Sequence, residues 1–170
     1  MADALKPPER SIALVGLMGA GKSTVGRRLA GRLGLPFADS DDEVEAAAGL
    51  KIAEIFDRFG ETRFREEERR AIARLVEGPP RVIATGGGAF ADSQTRALIL
   101  ACCTAIWLDE DVEILAERAA RRGGRPLLDG RDPVAVLERL AEARGHFYAE
   151  AHFRVRSDGK AVDTIVGLLR

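Results

Sequence analysis

Short apolar runs alternate with longer amphipathic stretches along this chain. Ser11-Ile12-Ala13-Leu14-Val15 reads as a buried strand, and Lys22 to Leu33 as a helix. Leu35-Pro36-Phe37-Ala38 reads as a short second strand. Helical patterns follow near Glu43–Ala48, Ile52–Phe59 and Glu61–Glu77. Arg81 to Thr85 is a third strand, ahead of a helix near Asp92–Ala101; Thr104 to Leu108 is a fourth, ahead of a helix near Val112–Arg122. Asp132 to Tyr148 forms a long helix, Phe153-Arg154-Val155 a fifth strand, and Val162 to Leu169 a closing helix. Strands this apolar suit a sheet covered on both faces. Their alternation with helices predicts a three-layer α/β domain built on a five-stranded parallel sheet, with ligands at the carboxyl ends of the strands. One domain over residues 11–170 accounts for the pattern, behind a polar tail at 1–10 that has no apolar stretch of signal or anchor type.

Charge and composition narrow the function. The chain has 170 residues, Lys+Arg 26 against Asp+Glu 27, and a net charge of −1. That balance excludes binding to nucleic acid or anionic lipid by bulk charge. No apolar run approaches the roughly 20 residues of a membrane helix. Cys102 and Cys103 are adjacent, poorly placed to staple a fold and too few for a zinc site. They read as small buried hydrophobes of a reduced, cytoplasmic protein. His146 and His152 share no ligand spacing and read as structural or surface residues.

Gly16-Leu17-Met18-Gly19-Ala20-Gly21-Lys22-Ser23 matches G-x-x-x-x-G-K-[ST] between a strand and a helix, the context that this phosphate-binding loop requires. This composition would produce the pattern by accident roughly 0.003 times in such a chain. Glycines let backbone N–H groups face an anion, the helix N-terminus adds positive potential, Lys22 reaches the β/γ-phosphates and Ser23 reaches Mg²⁺. The loop binds a nucleoside triphosphate and leaves the acceptor open.

Two acidic clusters compete for the metal. Ala105-Ile106-Trp107-Leu108-Asp109-Glu110 has the form of a Walker-B strand end, although Asp109 also suits capping the helix near Val112. Asp39-Ser40-Asp41-Asp42 follows the second strand. In an extended segment Asp39 and Asp41 point the same way, one toward metal and the other toward a substrate hydroxyl; the plainer reading is an acidic turn capping the next helix.

Two arginines lie on apolar stripes. At about 100° per residue, Arg65 is about 20° from Ile72 and Val76, and Arg144 is about 20° from Leu137 and about 40° from Tyr148. Such placement means a snorkelling side chain, an internal ion pair, or a fork gripping a buried carboxylate ligand. Gly86-Gly87-Gly88 ends the third strand, either as a flexible loop or as a side-chain-free floor for a ligand. The segment near 122–131, with Arg125-Pro126 at its middle, has the make-up of a closing lid or of a solvated basic turn.

Assembled in order, these pieces resemble the shikimate kinase family. The matching residues are the loop Gly-Leu-Met-Gly-Ala-Gly-Lys-Ser-Thr-Val-Gly, Asp39-x-Asp41, Gly60-Glu61, Phe64-Arg65, Gly86-Gly87-Gly88, Arg125-Pro126-Leu127-Leu128 and Arg144-x-x-x-Tyr148. The resemblance implies a P-loop kinase fold and transfer of the γ-phosphoryl of ATP to the 3-hydroxyl of shikimate, a step toward chorismate and the aromatic amino acids. It implies that Gly19, Ala20, Gly21, Lys22, Ser23 and Thr24 hold the phosphates. Arg118 would lie beside the adenine, and Arg125 of the lid on the phosphates. Lys160, after Asp158-Gly159, stands where some members place an arginine against the adenine. Ser23 and Asp39 would hold Mg²⁺, Asp39 through water. Asp41 would orient and deprotonate the hydroxyl, with Lys22 and Arg125 as its catalytic partners. Arg65 and Arg144 would grip the carboxylate over Gly86, Gly87 and Gly88. The lid, Arg122-Gly123-Gly124-Arg125, is shorter than in some relatives. A cytoplasmic monomer acting on ATP and shikimate follows, with no nucleic-acid or membrane partner. Two rivals stand beside it: a kinase for another polyol acid such as gluconate, and an ATPase or nucleotide switch using Asp109-Glu110 as its Walker-B pair.

Overall fold

Five parallel strands lie in the order β2-β3-β1-β4-β5. The computed structural model describes residues 8–122 and 132–170. The strands are β1 (Ser11–Val15), β2 (Phe37–Asp39), β3 (Val82–Ala84), β4 (Cys103–Asp109) and β5 (Phe153–Arg156). The helices are α1 (Lys22–Leu33), α2 (Ser40–Ala48), α3 (Ile52–Val76), α4 (Ser93–Cys102), α5 (Val112–Arg122), α6 (Pro133–Tyr148) and α7 (Ala161–Leu168), with a 3₁₀ turn at Ala89–Ala91. The central strand β1 is buried along its whole length because β3 and β4 flank it and helices cover both faces. The chain builds β2 and β3 on one side of β1, then crosses to build β4 and β5 on the other. That reversal leaves a crevice at the carboxyl end of β1, where the glycine loop lies. Among the described residues, no helix is long and apolar enough to cross a membrane.

The structure revises several boundaries. The second strand starts at Phe37, not Leu35: Gly34 ends α1 with φ 66°, and the Leu35 N–H closes that helix on the Ala30 carbonyl. Helix α2 begins at Ser40, so Asp41 lies in its first turn and not in an extended segment. Asp39 caps it, accepting from the Asp41 N–H at 2.9 Å. The expected break in α3 stands at Gly60, whose φ 80° and ψ 176° are non-helical and kink the chain between two helical halves. Cys102 is exposed at the end of α4, and only Cys103 is buried.

Close packing sets the distance between α1 and β2. A Cβ at Gly26 would stand 2.6 Å from Phe37 Cε2 and 3.3 Å from Leu14 Cδ1. Gly26→Ala therefore overpacks this contact, at about 1–3 kcal/mol, against about 1 kcal/mol gained in helix propensity. The expected net result is a lower urea midpoint. An unchanged or higher midpoint would mean that Phe37 swings aside freely.

Candidate active site

Three cavities adjoin along the carboxyl edge of the sheet. The first, about 210 Å³, lies over the glycine loop. Gly19 holds φ 80°, and a Cβ there would stand 2.8 Å from the Leu115 carbonyl oxygen, so no other residue fits. The loop delivers the N-terminus of α1, whose first turn carries no acidic residue to cancel its positive potential. Lys22 is 9% exposed, and its Nζ donates to the Gly16 carbonyl at 2.6 Å and the Leu17 carbonyl at 2.9 Å. Ser23 Oγ donates to Asp39 Oδ2 at 2.7 Å. Asp41, Asp42 and Thr85 line the same space. Burial, with the charges of Asp39 and Glu45, pushes the Asp42 carboxyl up.

The second cavity, about 190 Å³, shares Met18, Asp41, Gly86 and Gly87 with the first. Arg65, Glu68 and Arg144 enter it from α3 and α6. The three glycines are its floor, and at Gly86 and Gly88 side chains occupy the places where their Cβ atoms would be. A Cβ on Gly86 would lie 2.5 Å from Glu68 Oε2 and 2.8 Å from Asp41 Oδ1, and one on Gly88 would lie 2.2 Å from Arg65 Nη2. The Gly86 N–H donates to the buried Ser40 hydroxyl at 3.0 Å, tying the floor to α2. The Gly87 carbonyl accepts from Arg144 Nη1 at 3.0 Å and from the Tyr148 hydroxyl at 2.6 Å, tying it to α6. Burial pushes the Tyr148 hydroxyl pKa up.

Glu68 is fully buried and pairs with Arg65 Nη1 at 2.7 Å, while its Oε2 has no hydrogen-bond partner. Burial raises its carboxyl from 4.5 to about 7; the Arg65 charge pulls the other way.

The third cavity, about 420 Å³, opens beside Gly19, Gly21 and Thr24. Arg28, Arg118, Arg121, Ser157 and Asp158 also line it. Arg118 Nη1 donates to the Gly19 carbonyl at 3.2 Å and Nη2 to the Ser157 carbonyl at 3.5 Å, which holds its guanidinium as a wall. The Ser157 hydroxyl donates to the Ala20 carbonyl. The arrangement suits a nucleoside triphosphate across the third and first cavities and an anionic acceptor in the second.

A family model described as Shikimate kinase matches residues 18–168. The chain belongs to the shikimate kinase family. It is 56% identical over 165 residues to a shikimate kinase of Caulobacter vibrioides, covering 95% of this chain and 82% of that one. It is 51% identical over 160 residues to one of Zymomonas mobilis, covering 94% and 91%. A solved shikimate kinase of Acinetobacter baumannii, in complex with shikimate, superposes with a TM-score of 0.87 at 37% identity, covering 94% of this chain and 90% of that one. A gluconokinase of Sinorhizobium meliloti at 21% identity and TM-score 0.57 shares the fold alone.

Of the residues singled out in the sequence as this family's site, Arg65, Arg144, Asp41 and the three glycines line one cavity, and Lys22, Ser23, Asp39 and Asp41 line its neighbour. Arg118 and Thr24 line the third. Lys160 is exposed at the start of α7, next to Asp158 and Gly159 of that cavity. Arg125 and the proposed lid from 123 onward lie outside the described residues. Asp109 does not cap α5, which opens on the Asp111 carbonyl. It accepts from Arg154 Nε at 3.0 Å, and Glu110 accepts from Arg156 Nη2 at 3.1 Å. Neither lines the phosphate cavity. Glu68, Tyr148, Arg28 and Ser157 were not assigned from sequence. Glu68 had a signal: it lies about 20° from Leu75 on the helical wheel, a carboxylate on an apolar stripe.

A carboxyl raised from 4.5 to about 7 binds its proton more tightly in the folded state. The stability it contributes is fully present below the unfolded value and is lost as pH rises through the folded one. Glu68→Gln is therefore expected to flatten the pH dependence of stability between about 4.5 and about 7, read from urea midpoints across that window. An unchanged slope would place the titration on another group.

Proposed function

We propose that the chain transfers the γ-phosphoryl of ATP to the 3-hydroxyl of shikimate, with its two adjoining cavities holding the two substrates. The observation that carries this reading is the meeting of Arg65, Arg144 and Asp41 over the glycine floor, next to the phosphate loop. A ring acid presents a carboxylate to two guanidinium groups and a hydroxyl to Asp41. An ATPase or switch needs no such acceptor cavity, and its Walker-B pair is here engaged by arginines of β5.

Lys22 moves from its own loop carbonyls to the β/γ-phosphates and neutralises charge that develops during transfer. Gly19, Ala20, Gly21, Ser23 and Thr24 surround the phosphates, and Arg118 forms a wall against the adenine. Lys160 reaches toward the base from the rim. Arg125, outside the described residues, supplies a further charge to the transferring group. Asp41 orients the hydroxyl and accepts its proton. Both lone-pair directions of the Gly87 carbonyl are filled by Arg144 and Tyr148, so its contact to the acceptor falls to its N–H.

The Ser23 hydroxyl and Asp39 carboxylate meet at 2.7 Å at the phosphate cavity, a hard oxygen pair suited to Mg²⁺. Among the described residues no cluster of three or more His, Cys, Asp or Glu forms a metal cage, and this ion is ordinarily held by one or two protein groups, phosphates and water. Ser23 and Asp39 would hold the ion, Asp39 through water, and it would supply positive charge that offsets the charge of the phosphates. Both substrate cavities are lined by one chain, so a monomer suffices, and the free cysteines fit a cytoplasmic setting.

ATP turnover is expected to be slow alone and to rise steeply with shikimate, but not with gluconate. Equal turnover with and without shikimate would overturn the kinase reading. Arg65→Lys and Arg144→Lys are expected to raise KM for shikimate roughly 10- to 150-fold, about 1.5–3 kcal/mol, with KM for ATP nearly kept. Unfolding with acceptor affinity intact would instead assign them to internal ion pairs. Asp41→Asn is expected to lower kcat about 10²-fold or more with ATP binding kept, whereas Asp39→Asn raises the Mg²⁺ requirement. An active Asp41→Asn enzyme beside an inactive Asp109→Asn enzyme would move the catalytic carboxylate to β4.

A further inference from the structure

Past the end of β3 the chain leaves the sheet before it forms the acceptor floor. The Val82 N–H donates to the Pro36 carbonyl at 2.9 Å, and the parallel register sets Asp39 level with Ala84. Bonds of a parallel ladder recur at every second residue. The same register therefore brings the Gly86 N–H opposite Ser40. There β2 has ended, and Ser40 is the first residue of α2. Its side chain supplies the acceptor that the ladder would have supplied: the Gly86 N–H donates to Ser40 Oγ at 3.0 Å, with both residues buried.

Three consecutive peptide planes are held in this way. Ser40 holds the plane that carries the Gly86 N–H. The Gly86 carbonyl accepts from the Ala89 N–H at 3.1 Å. A trans peptide is planar, so that bond also fixes the Gly87 N–H, which points the opposite way. The Gly87 carbonyl is held by Arg144 and Tyr148. The second hold is a local turn and the third comes from α6, whereas the first comes from the helix that carries Asp41. Ser40 and Asp41 meet Gly86 on two sides: one accepts from its N–H, and the other packs against its Cα, where a Cβ would lie 2.8 Å from Oδ1. Glycine has no side chain to restrict φ and ψ, so the placement of this run against Asp41 depends on such holds.

We propose that Ser40 is a positioning residue for phosphoryl transfer, whose hydroxyl keeps the Gly87 N–H and the Asp41 carboxylate in one frame, so that both contacts to the acceptor hold a single geometry. The inference rests on the assignment of this cavity to the acceptor. Ser40 lines neither the acceptor cavity nor the phosphate cavity, so it acts through Gly86 and not by touching a substrate. Without the hydroxyl, the buried Gly86 N–H loses its acceptor, and an unmet buried donor is costly. The glycine run then shifts against α2 and the acceptor contacts loosen. The nucleotide cavity, walled by α1 and Arg118, keeps its form.

Steady-state kinetics of folded Ser40→Ala enzyme beside wild type test the proposal. KM for shikimate is expected to rise and kcat to fall, each roughly fivefold or more, with KM for ATP nearly kept. The Gly86 amide is expected to exchange with solvent about tenfold faster, read by NMR. Ser40→Thr keeps the hydroxyl and is expected to restore both constants. Ser40→Cys has nearly the same shape and a weaker acceptor. It is expected to fall between wild type and Ser40→Ala, and serves where the added methyl of Ser40→Thr is not accommodated. Unchanged kcat and KM in Ser40→Ala, with only a lower urea midpoint, would leave Ser40 a role in stability alone and overturn the proposal. So would an equal rise in KM for ATP, or Ser40→Thr and Ser40→Cys both as impaired as Ser40→Ala. A wild-type enzyme that shikimate does not stimulate would overturn the assignment of the cavity and this inference with it. A stimulated wild type beside an unaffected Ser40→Ala enzyme overturns this inference alone.

Discussion

The space above the end of β3 is the constraint on which this site depends. Gly86, Gly87 and Gly88 bring bare backbone to a place where α2, α3, α6 and the phosphate loop all converge. A Cβ at the first or third of these positions would overlap the Glu68 and Asp41 carboxylates or the Arg65 guanidinium. None of the three has a positive φ, so at Gly86 and Gly88 volume and not backbone conformation demands glycine. The carbonyl of the middle residue then anchors α6 through Arg144 and Tyr148. Removing side chains from one strand end thus lets four separate elements share one cavity wall.

Buried charge gives the cavity its character. Arg65 and Glu68 form a pair in which the carboxylate is fully buried and the guanidinium side chain is 17% exposed. A buried pair of this kind is a poor source of net stability, because desolvation offsets most of the attraction. Its use here is orientation: Glu68 fixes one edge of the guanidinium and leaves the remaining N–H donors for a ligand. The second oxygen of Glu68, without a partner, adds acceptor capacity at the same wall. On the phosphate-loop side, the carbonyls of Gly16 and Leu17 accept from Lys22 Nζ, which satisfies a buried ammonium.

The sheet makes these two halves neighbours. Parallel pairing sets Asp39 level with Ala84, Leu14 level with Ala84 and Val15 level with Trp107. All strand ends therefore open on one edge, and the loop after β1 faces the carboxylates after β2. Close packing of Gly26 on Phe37 keeps α1 near β2, so the Ser23 hydroxyl meets Asp39 at hydrogen-bond distance.

The apolar runs, the glycine loop and the order of motifs in the chain determined the parallel α/β fold, the phosphate site and the family. These features are local: a strand period, a helix cap or a turn is encoded within a few residues. The wheel positions of Arg65 and Arg144 showed that both project inward, but left ion pair and ligand grip open. The structure brings both to one cavity beside the phosphate loop, and shows that Arg65 also has an internal partner in Glu68. Asp39 and Asp41 line one cavity, brought together by the helix cap that the plainer reading of the acidic turn named and not by an extended segment. Asp109 had the local form of a metal ligand. Only the pairing of β4 with β5, which sets Asp109 beside Arg156 and lets Arg154 reach it, decided otherwise. The Gly87 carbonyl anchored by Arg144 and Tyr148 had no reading in one dimension. It is made by residues tens of positions apart, and distance in space, which sets both packing and electrostatics, is a property of the folded chain alone.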